Sequence, residues 1–292
     1  MAATNWIVNY RRFLKRRNYS KHTVKNYLNT LKHFVVFLAV PIEDASHREV
    51  SKYIDCLLGK SLKPKTINCH LQSIRGFYDY LYHEEEIKVT NPVKGGCALR
   101  LPKPLPLHLR DEEVATLFKG IKSLRDRAMF KVMLRCGLRV EEVSNLTLPD
   151  IDLKGKRIFV HNGKGGKSRL VYISKDALAS LNEYLRVRPT SRARKVFLVE
   201  KGPCTGKPLS VRGIQKRIEY YAKKTRLKVS CHHLRHTMAT QLLNAEAEVV
   251  TIQDLLGHNW ITTTERYCTV SNLKVERDYF KAMEVVLERS SP

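Results

Sequence analysis

The sequence lacks the long apolar segment that a membrane-spanning helix requires. No apolar run approaches the ~18 residues of such a helix, and the N-terminal stretch MAATNWIVNYRRF has neither the apolar block nor the cleavage site of a signal peptide. The seven cysteines form no CxxC pair, and a chain of 292 residues can fold without disulfides. We therefore expect a protein outside the membrane, with free thiols, in the cytoplasm.

Acidic residues are also scarce. The chain carries 53 lysines and arginines against 28 aspartates and glutamates, which gives a formal net charge of +25. Such an excess attracts polyanions and predicts a long contact with nucleic acid, with an anionic membrane surface as the less favoured partner. The excess extends along the whole chain, so we expect two basic domains that hold a duplex from two sides.

Residues 1–90 show apolar residues at helical spacing and no strand pattern. We expect four helices there, because each start carries a recognised N-terminal signal or an amphipathic stripe. The starts lie near Trp6, after Ser20, at the capping box Ser46–Glu49 and at Pro64, and the last three helices end at Pro41, Gly59 and Asn91.

Prolines separate this segment from the rest of the chain. Four of them between residues 91 and 106 favour an extended linker, and the composition changes on both sides. Residues 107–292 predict a helix-dominated α+β domain with a small antiparallel sheet, whose hairpin turns at Gly163–Gly166. The predicted helices cover 111–121, 124–136, 175–187, 211–224, 233–245, 248–256, 263–269 and 273–288.

His258 and Tyr267 raise a question of geometry. Nine residues at about 100° each would put them on opposite sides of one continuous helix. Gly257, however, suits the end of a helix, and the capping box Thr262–Glu265 suits the start of another. The predicted break lies between the two residues, so both can face one cleft.

Other polar residues occur in pairs at helical spacing. Arg139 and Glu142 follow Gly137, and His232 and Arg235 share a helix face. Arginines, histidines, a tyrosine and a turn lysine, without a carboxylate cluster, suit metal-free chemistry at a phosphodiester. Guanidiniums can bind the phosphate oxygens through two hydrogen bonds each. A phenol with a pKa of about 10 needs a base to accept its proton before it can act as a nucleophile. A lysine can protonate the leaving oxygen. Either lysine of the turn GKGGK can fill that last role.

These motifs, in order and spacing, resemble those of the tyrosine recombinase (phage-integrase-like) family, and the Xer type in particular. The segments NWIVNYRRFL and SKHTVKNYLNTLKHF resemble the family's SAM-like core-site-binding domain, so the resemblance covers nearly the whole chain. It implies a core-site DNA-binding domain in 1–90 and a catalytic domain in 107–292, forming a C-shaped clamp on double-stranded DNA. It also implies a 3′-phosphotyrosyl intermediate, strand exchange through a Holliday junction, and no metal, ATP or other cofactor.

The resemblance also implies a role for each motif residue. One departure is that Cys268–Thr269 follow the tyrosine where the family often has Thr-His, at a position that is not catalytic. The implied roles are Tyr267 as nucleophile, Arg139 and Arg235 as phosphate ligands, Lys164 as general acid (Lys167 being the alternative), His232 as base or phosphate ligand, His258 as hydrogen-bond donor to the phosphate, and Glu142 as support.

Basic side chains of both domains are expected to contact the DNA backbone, against the alternative of a solvated charged face. The C-terminal helix 273–288 is expected to dock on a neighbouring protomer, giving dimers and tetramers on DNA, rather than on its own domain. We expect nucleoid association and leave open an accessory protein. The predicted DNA contacts are Arg11, Arg12, Lys15, Arg16, Arg17, Lys21, Lys25, Lys65, Arg75, Lys167, Arg169, Arg212 and Lys216.

Other functions fit less well. A type IB topoisomerase shares the catalytic residue set but not the Xer-like N-terminal segment. A catalytically inactive DNA-binding accessory protein would not keep all five catalytic motifs, which are Arg139, Lys164, His232 with Arg235, His258 and Tyr267. A zinc site is disfavoured because Cys231 and His232 are adjacent and cannot comfortably chelate one ion. RNA binding lacks the expected aromatic strands. The target sequence, and the choice between chromosome-dimer resolution, plasmid resolution and movement of a mobile element, stay open.

Overall fold

The computed structural model describes residues 2–102, 107–161 and 168–257, together with Thr264, Tyr279 and Met283. The chain divides into two compact units, Met1–Lys103 and Pro104–Pro292. Each unit has a hydrophobic core of its own, and the two cores share no residue. The division does not test the predicted DNA-binding and catalytic roles of the two domains, which stay predictions.

Unit 1 is built from four α-helices in the order expected. Two predicted start signals are present as hydrogen bonds: the Ser20 hydroxyl accepts from the Thr23 backbone at 3.1 Å, and Ser46 forms a capping box with Glu49. A 3-10 turn at Ile42–Asp44 joins the second and third helices. The helices are α1 (Ala2–Arg16), α2 (Lys21–Phe37), α3 (His47–Gly59) and α4 (Pro64–His83).

The prediction that the fourth helix continues to Asn91 is wrong, since α4 ends at His83. Three consecutive glutamates, 84–86, follow that point, and their charge is unfavourable at the negative end of a helix dipole. Glu86 has a left-handed backbone with a φ of 54°, which turns the chain away from the helix axis. Val89 then returns to the core of unit 1, where it is buried.

The segment after α4 packs on unit 1 through side-chain amides. Asn91 donates to the Arg75 carbonyl at 3.0 Å and to Asp79 at 2.7 Å. Asn68 pairs with the backbone of Leu99 in both directions, each at 2.8 Å. The first part of the predicted linker therefore lies on the surface of unit 1, and residues 103–106 fall outside the described ranges.

Unit 2 confirms the expected fold class, mainly helical with a small antiparallel sheet. The sheet has the strand order β1-β2-β3, and Val160 on β2 pairs with Arg169 on β3. A short helix and a short strand were not expected, because six and two residues are too few for a periodic pattern. The elements are α5 (Asp111–Gly120), α6 (Leu124–Cys136), α7 (Val140–Asn145), β1 (Ile151–Asp152), β2 (Arg157–Val160), β3 (Arg169–Tyr172), α8 (Lys175–Val187), α9 (Val211–Thr225), α10 (Cys231–Asn244) and α11 (Val249–Leu256).

Helix α6 lies at the centre of unit 2. Its residues Met129, Phe130 and Met133 are fully buried, and the helix packs against α8 and α10. A separate apolar cluster that includes Met238 and Leu256 joins α10 to α11. The C-terminal ends of α6 and α11 are thereby held beside α10.

Three expected elements fall outside the described residues. They are the hairpin turn Gly163–Gly166 and the helices 263–269 and 273–288, apart from the single residues Thr264, Tyr279 and Met283. Within the described part of the chain, no helix combines the length and apolarity needed to cross a membrane.

Candidate active site

Gly137 sets the position of Arg139. It ends α6 in the left-handed conformation, with a φ of 64°. A β-carbon at this position would lie 2.5 Å from Met238 Sδ and 3.0 Å from Leu256 Cδ2, and the positive φ itself favours glycine. The chain therefore turns sharply from α6 into α7, and Arg139 takes the N-cap position of α7.

Glu142 holds both the backbone and the side chain of Arg139 by hydrogen bonds. Its carboxylate accepts from the Arg139 backbone N–H at 2.7 Å and from Arg139 Nη1 at 2.9 Å. It also accepts two parallel bonds from Arg169, both at 2.8 Å. The pairing of Glu142 with Arg139 was expected from the sequence, whereas the pairing with Arg169 was not.

Glu142 is ionised because of these partners. Its side chain is only 7% exposed, and this burial by itself would raise the pKa. The hydrogen bonds and charge of Arg169, together with the backbone N–H and charge of Arg139, outweigh burial and lower the pKa to about 2. The carboxylate is therefore a permanent hydrogen-bond acceptor at any physiological pH.

Arg235 lies inside the protein on α10. It is 1% exposed, and it donates through Nη1 to the Gly137 carbonyl and through Nη2 to the Leu256 carbonyl. The start of α10 is capped by Ser230, whose hydroxyl accepts from the His233 N–H at 3.3 Å. Arg235 thus connects the ends of α6 and α11.

The C-terminal end of α11 brings three arginines together. The last carbonyls of this helix accept in succession: Leu255 from Arg169 Nε at 2.9 Å, Leu256 from Arg235, and Gly257 from Arg139 Nη2 at 3.2 Å. Carbonyls at this end of a helix carry partial negative charge and attract cations. We call Arg139, Arg169 and Arg235 the arginine cluster.

His232 lies on the same helix as Arg235, a member of the arginine cluster. It is exposed on the first turn of α10, three residues before Arg235, and its ring packs edge-on against His236 with centroids 4.1 Å apart. Lys164, Lys167, His258 and Tyr267 fall outside the described residues. The described part of the site therefore contains Arg139, Glu142, His232 and Arg235.

The predicted DNA contacts are on the surface, with one exception among the described residues. Arg17 pairs with Glu84 at 3.3 Å, Arg212 with Glu219 at 3.1 Å, and Arg75 donates to the Val93 and Lys94 carbonyls. The exposed residues are Arg11, Arg12, Lys15, Arg16, Arg17, Lys21, Lys25, Lys65, Arg75, Arg212 and Lys216.

The exception is Arg169, which is not among the exposed residues, and its DNA contact stays a prediction. Its side chain is 10% exposed, and three of its N–H groups already donate to Glu142 and Leu255. A strand arginine beside a lysine-rich turn looks like a surface residue in sequence. Only the contact between β3, α7 and α11 reveals its partners.

Within the described ranges, no three His, Cys, Asp or Glu side chains are grouped closely enough to hold a metal ion. In the described part of the site, the positive charge comes from the arginine cluster.

Two family models match the chain. The model of the phage integrase family matches residues 108–273, and that of the phage integrase N-terminal SAM-like domain matches residues 7–85. The first match alone covers more than half of the 292 residues and contains the whole arginine cluster. The chain belongs to the phage integrase family.

Curated relatives of this integrase are tyrosine recombinases of the Xer type. It is 32% identical over 279 residues to tyrosine recombinase XerC of Staphylococcus haemolyticus, covering 91% of this chain and 92% of that one. The XerC of Staphylococcus carnosus is 31% identical over 277 residues, covering 91% and 92%. The integrase is therefore an Xer-type tyrosine recombinase, an enzyme that cleaves and rejoins DNA.

Solved structures share its fold. The XerA recombinase matches with a TM-score of 0.56 at 22% identity, covering 95% of this chain and 98% of that chain. A segment of the Tn1549 transposon integrase in complex with transposon right end DNA matches with a TM-score of 0.76 at 18% identity, covering 93% and 98%. A lambda integrase dimer bound to a COC′ core site matches with a TM-score of 0.75 at 19% identity, covering 90% and 94%.

Proposed function

We propose that this integrase recombines duplex DNA at a specific site, with Tyr267 as the nucleophile. The observation that supports this most strongly is that Arg139 and Arg235, distant in sequence, both anchor on the end of α11. The chain continues from that end directly to His258 and then to Tyr267. Two guanidiniums at this point suit a phosphate that the tyrosine attacks.

The bond changes of the proposed step balance without an external energy source. The Tyr267 phenolic oxygen bonds to phosphorus while the bond from phosphorus to the 5′-oxygen breaks. The phenol proton passes to a base, for which His232 is the candidate, and Lys164 gives a proton to the 5′-oxygen. Because the 3′-phosphotyrosyl bond replaces the phosphodiester bond, the reverse attack by a 5′-hydroxyl rejoins DNA without ATP.

The arginine pair is proposed to take the place of a metal ion in this reaction. Arg139 and Arg235 would hold the non-bridging oxygens and offset the charge on pentacoordinate phosphorus. His258 would donate a further hydrogen bond to the phosphate. This division of roles requires neither a metal nor an organic cofactor.

We also propose how the integrase works on DNA. Unit 1 would bind the core site, unit 2 would carry the chemistry, and the exposed basic residues of both would contact the backbone. Relatives of the same fold support this, since a lambda integrase tetramer is known bound to a Holliday junction. Dimers and tetramers would form through the C-terminal helix 273–288, in the cytoplasm on the nucleoid.

Replacement of the nucleophile tests the proposal. Tyr267→Phe removes only the phenolic oxygen, so we expect DNA binding to be kept and the covalent adduct on a nicked suicide duplex to be lost. Gel separation of the protein–DNA adduct measures this. Tyr172→Phe is the matched control, because Tyr172 is 62% exposed on β3, and it should form adduct normally. An adduct that survives in Tyr267→Phe would identify another nucleophile.

A relaxation assay separates the recombinase from the topoisomerase alternative. On a supercoiled plasmid without a specific site, the proposed recombinase should produce little relaxation. Efficient relaxation of such a plasmid would favour a type IB topoisomerase.

A further inference from the structure

Arg169 has contacts that none of the proposed catalytic roles explains. It is the first residue of β3 and pairs in the sheet with Val160. Its guanidinium lies between α7 and the end of α11, where Nη1 and Nη2 bind Glu142 and Nε binds the Leu255 carbonyl. With its side chain 10% exposed, the Arg169 guanidinium is largely enclosed by these partners.

The hydrogen bonds on Glu142 show what Arg169 completes. Oε1 accepts from Arg139 Nη1 and Arg169 Nη1, and Oε2 accepts from the Arg139 backbone N–H and Arg169 Nη2. A carboxylate accepts about four hydrogen bonds, so these four saturate it. A saturated carboxylate held from both sides cannot rotate freely, and the direction of the Arg139 guanidinium is fixed with it.

The charge balance around Glu142 also indicates a role for Arg169. Arg139 and Arg169 each carry one positive charge and share the single negative charge of Glu142, which leaves a net charge of +1. If Arg169 were neutral, Glu142 would cancel the charge of Arg139. A phosphate approaching Arg139 would then meet a neutral ion pair instead of a cation.

The end of α11 depends on Arg169 as well. Arg169 holds the Leu255 carbonyl, and the next two carbonyls bind Arg235 and Arg139. Gly257 fits closely against it, since a β-carbon there would lie 3.0 Å from Arg169 Cδ and 3.3 Å from Nη1. One side chain therefore contacts both the carboxylate and the helix end that orient the two proposed phosphate ligands.

We propose that Arg169 is a positioning residue for recombination. It holds Glu142 and the end of α11 so that Arg139 presents an uncancelled charge to the scissile phosphate, and it does not contact DNA itself. This inference rests on the proposed role of Arg139 as a phosphate ligand. Arg169 lies two residues after Lys167 in the chain, so it also joins the strand that follows the two candidate lysines to the arginine pair.

The test compares binding with chemistry in full-length variants. Arg169→Met keeps the apolar stem and removes the cation. We expect the single-turnover rate of adduct formation, measured at saturating DNA on the nicked suicide duplex, to fall about 100-fold, as for misplaced catalytic groups. The dissociation constant for the duplex and its salt dependence should stay as in the wild type.

Arg157→Met is the matched control. Arg157 is also a strand arginine in the same sheet and also pairs with a carboxylate, Asp152, at 2.8 Å. Within the part of the chain that the structure describes, it forms no hydrogen bond or ion pair with the arginine cluster. Its variant should cleave at the wild-type rate. Circular dichroism and thermal unfolding establish that each variant is folded. If Arg169→Met does not fold, Arg169→Lys, which keeps a cation but loses the bidentate fork, is measured in the same way.

A double-mutant cycle decides whether Arg169 acts through Glu142. We expect the double variant of Glu142→Gln and Arg169→Met to cleave no more slowly than the slower single variant, since both changes break one unit. Effects that multiply would overturn the inference. So would weaker DNA binding and a smaller salt slope with an unchanged rate at saturation, which would make Arg169 a DNA contact. Absence of any adduct with the wild-type protein is a different result, because it contradicts the proposed function itself.

Discussion

Single arginines supply the positive charge in the described part of the site. Arg235 is 1% exposed, and a lysine so deeply buried would tend to lose its proton. A guanidinium stays charged there and reaches two acceptors at once, in this case the carbonyls of Gly137 and Leu256. Replacing either proposed phosphate ligand by lysine is therefore not a conservative change.

The choice between the two turn lysines can be settled at the same scale. Lys164→Ala should reduce cleavage of a normal duplex strongly, because the 5′-oxygen leaves without a proton. Cleavage should recover when that oxygen is replaced by sulfur, which leaves readily as the thiolate. Rates of adduct formation on the two substrates measure the effect. Lys167→Ala serves as the comparison, and rescue of that variant instead would move the role to Lys167.

Glu142 makes stability depend on pH in a defined direction. Its pKa is lowered from 4.5 to about 2 in the folded protein, so its stabilising contribution is present above about 4.5 and is lost as the pH falls towards 2. By linkage the shift corresponds to about 3 kcal/mol. We expect Glu142→Gln to lower the free energy of unfolding in urea at about pH 7 by that order, and by about half as much at about pH 3.

Glu141→Gln provides the control for this pH effect. Glu141 is the neighbouring residue on α7 and is exposed. Its variant should unfold like the wild type at both pH values. An equal loss of stability in Glu142→Gln at both would show that the carboxylate charge is not what stabilises α7.

Among the helices, α6 is tied to α9 by a buried ion cluster. Asp126 is 0% exposed and accepts from Arg125 at 2.7 Å, from Arg217 at 2.7 Å and from Tyr221 at 3.0 Å. Removing one member of such a cluster leaves buried charges without a partner. We expect Asp126→Ala to lower the free energy of unfolding by about 3–5 kcal/mol.

Denaturant unfolding of full-length protein measures this loss. Asp152→Ala is the comparison, because Asp152 pairs with Arg157 in a more exposed bridge whose side chains are 44% and 33% exposed. An exposed pair contributes only about 0–1 kcal/mol. Similar losses in both variants would contradict the account of α6.

Helix ends were predictable from sequence where a local signal marks them. Ser20, Ser46, Gly137 and Gly257 set boundaries through hydrogen bonds or backbone conformations that depend on neighbouring residues alone. The end of α4 was missed although glutamates 84–86 carry a signal of their own, namely like charge at the negative helix end. Helix α7 was missed because six residues are too few to show a period.

The site was predictable as a set of residues but not as a network. The order and spacing of the motifs predicted Arg139, Glu142, His232 and Arg235 as site residues, and the structure joins Arg139, Glu142 and Arg235 through the end of α11 and their hydrogen bonds. The role of Arg169 could not be read from its neighbours, since its partners come from α7 and α11. Only folding brings those elements to β3, so the partners of Arg169 can be found from tertiary contacts alone.

At the scale of the whole molecule, net charge governs association with DNA. A chain with a net charge of +25 is expected to release many counterions on binding. We expect its affinity to fall about 10³-fold or more between 50 and 200 mM salt, as for proteins with several phosphate contacts. Fluorescence anisotropy with a labelled duplex measures this, and a nearly flat response would contradict extended backbone contact.

Variants on α1 refine this prediction. Arg12 and Arg16 are exposed and lie one helical turn apart. Replacing both by alanine should reduce the slope of log affinity against log salt by about two. Lys119→Ala, an exposed lysine of α5 outside the predicted contacts, should leave the slope almost unchanged.

The separate cores of the two units bear on how new target preferences arise. Among the described residues, no buried side chain of one core belongs to the other, so substitutions in the core of unit 1 need not disturb packing around α6. If unit 1 recognises the DNA site and unit 2 carries the chemistry, as proposed, evolution can change unit 1 while unit 2 stays the same. Hybrid chains joined near the boundary between the two units are therefore a practical route to recombinases with altered target sites.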